Sequence, residues 1–223
     1  MSHDILVIAV HPDDETLGAG GTLLKHKENG DRIHWLIITS MTEEKGYSQK
    51  QIEKRNFEIT AVAKDYGFSS VSELKLPTTC LDELSDSTII DYISKVFKEI
   101  KPHTVYLPFY NDVHSDHRKT FDAVFSCTKS FRYPFVKKVL MMETLSETDF
   151  APALSHLAFV PNVYVDIGKF IEKKCEILKR FEGEIAPAPF PRSLETVRGL
   201  ATFRGSVAGC LHAEAFVLLK EIL

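Results

Sequence analysis

Two patterns of apolar and polar residues alternate along this chain. Short continuous apolar runs predict buried strands, and apolar residues at helical spacing predict helices. Short apolar runs, rich in β-branched residues, predict buried strands at 4–10, 32–40, 71–76, 104–109 and 136–143. Apolar residues at helical spacing predict helices at 16–28, 51–66, 86–100, 168–181 and 193–206, and one that ends near 129. Residues 163–167 allow a short extra strand, and 213–219 fit either a strand or a helix. The polar segment 41–49 is interpreted as a loop over a site, and the proline-rich segment 185–191 as the edge of the core or a pocket wall.

Strands that alternate with helices indicate βαβ units, and therefore a mostly parallel sheet with helices on both faces. We expect one Rossmann-like, doubly wound α/β domain over residues 1–223. Right-handed crossovers favour the strand order 3-2-1-4-5, with room for an extra edge strand. In that order the first and fourth strands are neighbours, and ligands bind in the crevice beyond their carboxyl ends.

Composition narrows the classes of partner. The formal net charge is −4 and basic residues are interspersed with acidic ones, which argues against a nucleic acid as partner. The four cysteines, at positions 80, 127, 175 and 210, form no CxxC pair, so reduced thiols in a cytoplasmic protein are expected. The first residues lack the basic region of a signal peptide, and no apolar run is long enough for stable membrane insertion.

Two clusters of histidines and acids follow the first and fourth predicted strands. The first runs from His11 to Glu15 and the second from Asp112 to His117. Adjacent carboxylates beside a buried strand repel one another unless a cation holds them, and the predicted strand order brings both clusters to one crevice. Each cluster alone has a simpler interpretation, namely aspartates that cap a helix near Thr16 and two solvated histidines on a helix. Their convergence favours a metal site.

His11, Asp14 and His117 form a set of two histidines and one carboxylate. Nitrogen and oxygen donors of this kind suit zinc first and iron(II) or another divalent metal second. Three protein ligands leave a position for water, so Asp13 is available as a general base acting on that water. His114, three residues before His117, could be protonated and stabilise an oxyanion.

The motifs resemble those of the PIG-L/LmbE-like family of zinc-dependent de-N-acetylases. Ala-Val-His-Pro-Asp-Asp-Glu begins at residue 9 and precedes a glycine-rich helix, Asn-Asp-Val-His-Ser-Asp-His begins at residue 111, and Ala-Glu-Ala-Phe begins at residue 213. The resemblance implies that His11, Asp14 and His117 bind zinc and that Asp13 is the base. It also implies that His114 stabilises the tetrahedral intermediate or protonates the leaving amine.

The resemblance implies two further roles. Asp116 would orient a histidine ligand, and Arg55, in Arg-Asn-Phe-Glu at the start of the second helix, would bind substrate. A salt bridge from Arg55 to Glu58 at the surface is the alternative. The chain departs from the family pattern at Asp112 and His212, where tyrosine occurs in some or many members, and at Ser115, where proline is common.

The residues of the two clusters predict a metal-dependent hydrolase. The resemblance implies that it uses zinc and removes the N-acetyl group from an N-acetylated sugar of the N-acetylglucosamine type, or from a sugar conjugate. Its expected partner is that small molecule, and a homo-oligomer is left open. The alternative is a non-catalytic Rossmann-like binding module, whose acids only cap a helix and which needs neither a metal nor Asp13.

Overall fold

The computed structural model describes residues 2–223, which form seven strands and six α-helices. The strands are β1 (Asp4–Ala9), β2 (Arg32–Ser40), β3 (Ser70–Pro77), β4 (Thr104–Leu107), β5 (Lys138–Met142), β6 (Val163–Asp166) and β7 (Ala213–Glu221). The helices are α1 (Asp14–Glu28), α2 (Gln49–Tyr66), α3 (Asp86–Ile100), α4 (Ser115–Ser126), α5 (Ile171–Leu178) and α6 (Leu194–Ala208).

All strands of the described chain belong to one sheet, in the order β3-β2-β1-β4-β5-β7-β6. Strands β1 to β5 are parallel, whereas β7 runs antiparallel to both β5 and β6. The predicted order 3-2-1-4-5 is confirmed, and the ambiguous segment 213–219 is a strand. Because β7 inserts between β5 and β6, the sheet gains two strands at this edge instead of one.

The alternation of side chains along β1 explains why helices cover both faces. Ile5 and Val7 point into a core layer shared with residues of α1, α2, α5 and α6, whereas Leu6 and Ile8 point into a layer shared with α3 and α4. Successive side chains of a strand face opposite sides of the sheet, so a continuous apolar run is needed when both sides are buried. The continuous apolar run of β1 is therefore explained by burial of its side chains on both faces of the sheet.

Helix α1, which begins within the first polar cluster, packs closely against its neighbours. A Cβ atom on Gly18 would lie 2.8 Å from the Cβ of Met142, and one on Gly21 would lie 2.7 Å from the Cβ of Ile167. Both glycines therefore permit a close approach that a larger residue would prevent. In the part of the chain that the structure describes, no helix combines the length and apolarity required to cross a bilayer.

Candidate active site

The loop that joins β1 to α1 carries the first cluster in a strained turn. Asp13 has φ 143° and ψ −24°, a conformation that residues with a side chain rarely adopt. The carboxylate of Asp14 accepts the backbone N–H of His11 at 2.8 Å, which closes the turn. Asp13 stands at the N-cap position of α1, but its carboxylate accepts no capping hydrogen bond from the described helix. The simple interpretation of this aspartate as a helix cap is therefore not supported.

The loop that joins β4 to α4 places its residues by ordinary helix geometry. His114 is the N-cap of α4, and its Nδ1 accepts the backbone N–H of Asp116 at 3.1 Å. His117 lies in the first turn, completely buried, with its Nδ1 2.9 Å from a carboxylate oxygen of Asp112. The other oxygen of Asp112 accepts the hydroxyl of Thr148 at 2.7 Å. Asp112 thus fixes a proton on Nδ1 of His117 and leaves Nε2 available as a ligand.

The two loops meet because β1 and β4 are parallel neighbours, with Ile5 paired to Thr104. Potential ligand atoms of His11, Asp14 and His117 all lie within 4.8 Å of one another. Nε2 of His117 is 3.4 Å from Asp14 and is buried without a hydrogen-bond partner among the described residues. A buried nitrogen that faces a carboxylate at this distance fits a divalent cation bound between them. A second set of potential ligands, His11, His114 and Asp116, overlaps the first.

The charges of this cluster also favour a cation. Burial opposes the charged form of His117, but the carboxylates of Asp14 and Asp112 outweigh it and raise the pKa of His117 to about 9. Burial raises the pKa of Asp13 well above its usual range, and the neighbouring carboxylate of Asp14 adds to this effect. Without a metal the cluster therefore retains protons, and a divalent cation would replace them.

His114 is placed as a proton donor in its neutral form. Burial, and then the adjacent His11 ring, lower the pKa of His114 below its usual value. Because its Nδ1 accepts a backbone hydrogen bond, its proton lies on Nε2. This arrangement favours a neutral imidazole over the imidazolium expected from the sequence.

A cavity of about 260 Å³ opens beside the cluster at the carboxyl ends of the strands. Its lining includes His11, Asp13 and His114, together with Met41 and Tyr47 from the segment that the sequence predicts as a loop over a site. The same segment contains a short 3-10 helix, Glu43–Lys45, and α2 begins two residues after Tyr47. The predicted position of this loop beside the site therefore agrees with the structure.

Arg55 lies in the cavity wall, and its side chain is 9% exposed. Its Nη1 donates to the carbonyl oxygen of Pro12 at 2.8 Å, its Nε is 3.1 Å from Glu58, and its Nη2 bonds to Glu184. The ion pair with Glu58 exists, but it is buried and not at the surface. Whether Arg55 also binds substrate stays a prediction.

Asp116 stands close to a predicted ligand without a hydrogen bond to it. One carboxylate oxygen accepts the backbone N–H of Thr79 at 2.6 Å and lies 3.6 Å from Nε2 of His11, and the other accepts the N–H of Leu81 at 3.2 Å. Asp112 is the carboxylate that holds His117 directly. The sequence indicates Asp112 as a member of the second cluster and a departure from the family pattern, but it does not predict this role.

Three further residues of the cavity were missed by the sequence analysis. Arg192 pairs with Asp13 at 3.1 Å and with Glu184 at 3.2 Å, and one oxygen of Glu147 is buried without a hydrogen-bond partner in the described chain. The only signal for Arg192 and Glu184 was the proline-rich segment between them, which the sequence analysis allowed as a pocket wall.

Comparisons with known proteins extend these observations. Residues 6–128, more than half of the chain, match the model of the PIG-L family, described as GlcNAc-PI de-N-acetylase. Diacetylchitobiose deacetylase of Thermococcus kodakarensis is 22% identical over 231 residues, covering 98% of this chain and 84% of the relative.

Two solved structures have the same fold. N,N′-diacetylchitobiose deacetylase from Pyrococcus horikoshii, complexed with its inhibitor MPG, superposes with a TM-score of 0.77 at 21% identity, covering 98% of this chain and 84% of that one. GalB, the 4-carboxy-2-hydroxymuconate hydratase of Pseudomonas putida KT2440, superposes with a TM-score of 0.74 at 17% identity, covering 100% and 98%. Since one of these proteins is a deacetylase and the other a hydratase, the fold alone does not decide the reaction.

Proposed function

The chain belongs to the PIG-L family of GlcNAc-PI de-N-acetylases, and from this premise we propose that it is a metal-dependent hydrolase of N-acetylated sugars. Its substrate is an N-acetylglucosamine-type sugar or sugar conjugate, from which it releases acetate and a free amine. The observation that carries the proposal is the cluster of His11, Asp14 and His117, of which His11 and Asp14 line one cavity together with Asp13. The length of similarity to a diacetylchitobiose deacetylase supports the sugar substrate.

His11, Asp14 and His117 would hold the metal. Zinc suits this donor set best, and iron(II) or another divalent ion is the alternative. When bound, the ion supplies Lewis acidity towards the acetamide carbonyl and lowers the pKa of water in its coordination sphere. Asp112 sets the tautomer of His117 that can act as a ligand.

Two side chains of the cavity would act directly on the reacting groups. The carboxylate of Asp13 accepts a proton from the water that attacks the acetamide carbon and then passes it to the leaving amine. His114 donates a hydrogen bond from Nε2 to the developing oxyanion. Arg55 and Asp116 have supporting roles, Arg55 at the substrate side of the cavity and Asp116 beside His11.

The environment that we propose for this enzyme is the cytoplasm. Cys80, Cys127 and Cys175 are buried and Cys210 is half-buried, and all four are free thiols in the structure. Such thiols persist in a reducing compartment.

The test is an assay of amine release by protein purified without added metal. The panel contains free N-acetylglucosamine, diacetylchitobiose, and nucleotide-linked, lipid-linked and thiol-linked conjugates. We expect one divalent ion per chain, loss of activity on chelation, and recovery with zinc or iron(II). A fully demetallated enzyme that remains active would exclude the metal role.

The panel also separates the proposal from its alternatives. If the metal-loaded protein releases amine from no member of the panel, the deacetylase function is wrong. Metal-free protein that binds one of the sugars without turnover, and whose affinity Asp13→Asn leaves unchanged, would instead indicate a binding module.

A further inference from the structure

Glu184 connects two arginines that reach the same dipeptide of the first loop from different sides. One of its oxygens binds Nη2 of Arg55, and the other lies 3.2 Å from Nη2 of Arg192. Arg55 then donates to the carbonyl oxygen of Pro12 at 2.8 Å, and Arg192 donates to the carboxylate of Asp13 at 3.1 Å. A single carboxylate therefore secures both the backbone and the side chain of the Pro12–Asp13 turn.

The strained backbone and the acidic surroundings of Asp13 both require stabilising contacts. Its φ of 143° is strained, and strained backbone persists only when surrounding contacts determine it. The adjacent carboxylates of Asp14 and Glu15 are both buried and repel the Asp13 side chain. Among residues 2–223, the only hydrogen bond donated to the Asp13 carboxylate comes from Arg192.

The two arginines are themselves held in place by packing. The Arg55 guanidinium lies 5.6 Å from the ring centroid of Phe181, which is fully buried, and the Arg192 guanidinium lies 5.6 Å from that of Phe190. A planar guanidinium that is stacked and bonded at two nitrogens has few alternative positions. Arg192 can therefore fix the direction in which the Asp13 carboxylate points.

We propose that Arg192 and Glu184 are positioning residues that hold Asp13 in the orientation required of the general base. The inference rests on the proposed function, because it gives Asp13 the role of base. Its rival is a role for Arg192 in binding substrate from the cavity wall. The two roles differ in kinetics, since misplacing a base lowers kcat, whereas losing a substrate contact made equally in the ground state raises KM.

The experiment compares Arg192→Ala, Arg192→Lys and Glu184→Gln with the wild type on the best substrate of the panel. Arg192→Ala should lose roughly 100-fold in kcat, the usual cost of a displacement of about 1 Å, with KM within about twofold. Arg192→Lys should recover only part of kcat, because an ammonium keeps the positive charge but lacks the rigid planar fork with which the guanidinium bridges the two carboxylates. Glu184→Gln should lose roughly 10-fold, because an amide retains one acceptor for the two arginines. All three variants should keep the metal content of the wild type.

Two matched variants control for loss of a surface charge. Arg198→Ala removes an arginine that pairs with Glu172 on the surface, and Glu182→Gln removes a carboxylate that pairs with exposed Lys54. Both should keep wild-type kcat and KM. A rise in KM with unchanged kcat in Arg192→Ala would overturn the inference in favour of substrate binding. Wild-type kinetics, or loss of metal together with activity, would also overturn it.

A crystal structure of Arg192→Ala tests the inference without any assay, and so separates its failure from failure of the proposed function. We expect the Asp13 carboxylate to leave its wild-type position or to lose electron density. An unchanged Asp13 side chain would show that Arg192 does not position it.

Discussion

The loop after β1 and the loop after β4 both supply residues of the candidate site, but they are supported in different ways. In the second loop, His117 is held by Asp112, five residues before it, and His114 accepts the N–H of Asp116, two residues after it. In the first loop, the carbonyl of Pro12 is held by a residue 43 positions away and the carboxylate of Asp13 by one 179 positions away.

The backbone is also unstrained in the second loop and strained in the first. His114 has φ −73° and ψ 129°, an ordinary conformation before a helix, whereas Asp13 has φ 143°. Burial raises the pKa of Glu15, two residues after Asp13, to about 8, so this part of the first loop resists further negative charge. The contrast teaches that a helix start can place ligands locally, while a strained base depends on distant residues.

The largest effect is expected from the two substitutions that distinguish the roles of Asp13 and Asp14 in the first loop. Asp13→Asn should keep the metal and lose two to four orders of magnitude in kcat, roughly the worth of general acid–base catalysis. Asp14→Asn should lose metal affinity and activity together, because a neutral amide is a poor ligand for a divalent ion. Metal analysis and steady-state kinetics measure both. If Asp13→Asn loses the metal and Asp14→Asn keeps it, the two roles are exchanged.

The support that Arg55 gives to the first loop, through the carbonyl oxygen of Pro12, is tested by Arg55→Ala. The substitution leaves the buried carboxylate of Glu58 without its guanidinium partner and removes one of the two arginines that pair with half-buried Glu184, so the free energy of unfolding should fall by about 3–5 kcal/mol. KM should also rise if Arg55 contacts the substrate. Urea denaturation measures the stability change. Arg180→Ala is the control, because the ion pair of Arg180 with Asp65 is half exposed and should contribute less than about 1 kcal/mol. If the two variants lose the same free energy of unfolding, the ion pairs of Arg55 contribute no more than an exposed ion pair does.

The support of the second loop is tested by Asp112→Asn. The amide can still accept from Nδ1 of His117, but it is a weaker acceptor and offers only one oxygen to His117 and Thr148 together. Metal affinity should fall about 10-fold to 100-fold, the usual effect of changing the partner of a ligating histidine. Competition with a fluorescent chelator measures the affinity. Affinity equal to that of the wild type would mean that helix geometry alone orients His117.

The same contrast explains which parts of the molecule could be predicted from the sequence. The continuous apolar run of β1 and the strand–helix alternation predict a central buried strand, and right-handed crossovers then place β1 beside β4. That adjacency is enough to predict that His11, Asp14 and His117 lie together. The strand β7 could not be predicted, because the segment 213–219 fits both spacings and is fixed as a strand only by pairing with β5 and β6.

Residues that act through long-range contacts were the ones missed. Arg192 and Glu184 reach the site from a segment without regular structure, so no spacing rule relates them to Asp13. Asp112 was visible beside His114, but its partner became clear only once α4 was known to begin at Ser115. The family pattern implied that Asp116 orients a histidine, and its carboxylate accepts hydrogen bonds from two backbone amides while it lies 3.6 Å from Nε2 of His11.

The smallest effect is expected from Ser115→Pro, which tests whether the second loop is an ordinary helix start. Ser115 is the first residue of α4, a position that favours proline, and its backbone N–H donates no hydrogen bond among residues 2–223. The preceding residue, His114, already has the extended conformation that proline requires of its neighbour. We therefore expect thermal denaturation to show a gain of about 0.4–1 kcal/mol, because proline restricts the unfolded chain, with metal content and kcat unchanged. Ser115→Ala is the control for loss of the hydroxyl and should leave stability within about 0.5 kcal/mol. If Ser115→Pro loses metal or activity while Ser115→Ala does not, the second loop must move at Ser115 during binding or turnover. The second loop would then not be an ordinary helix start.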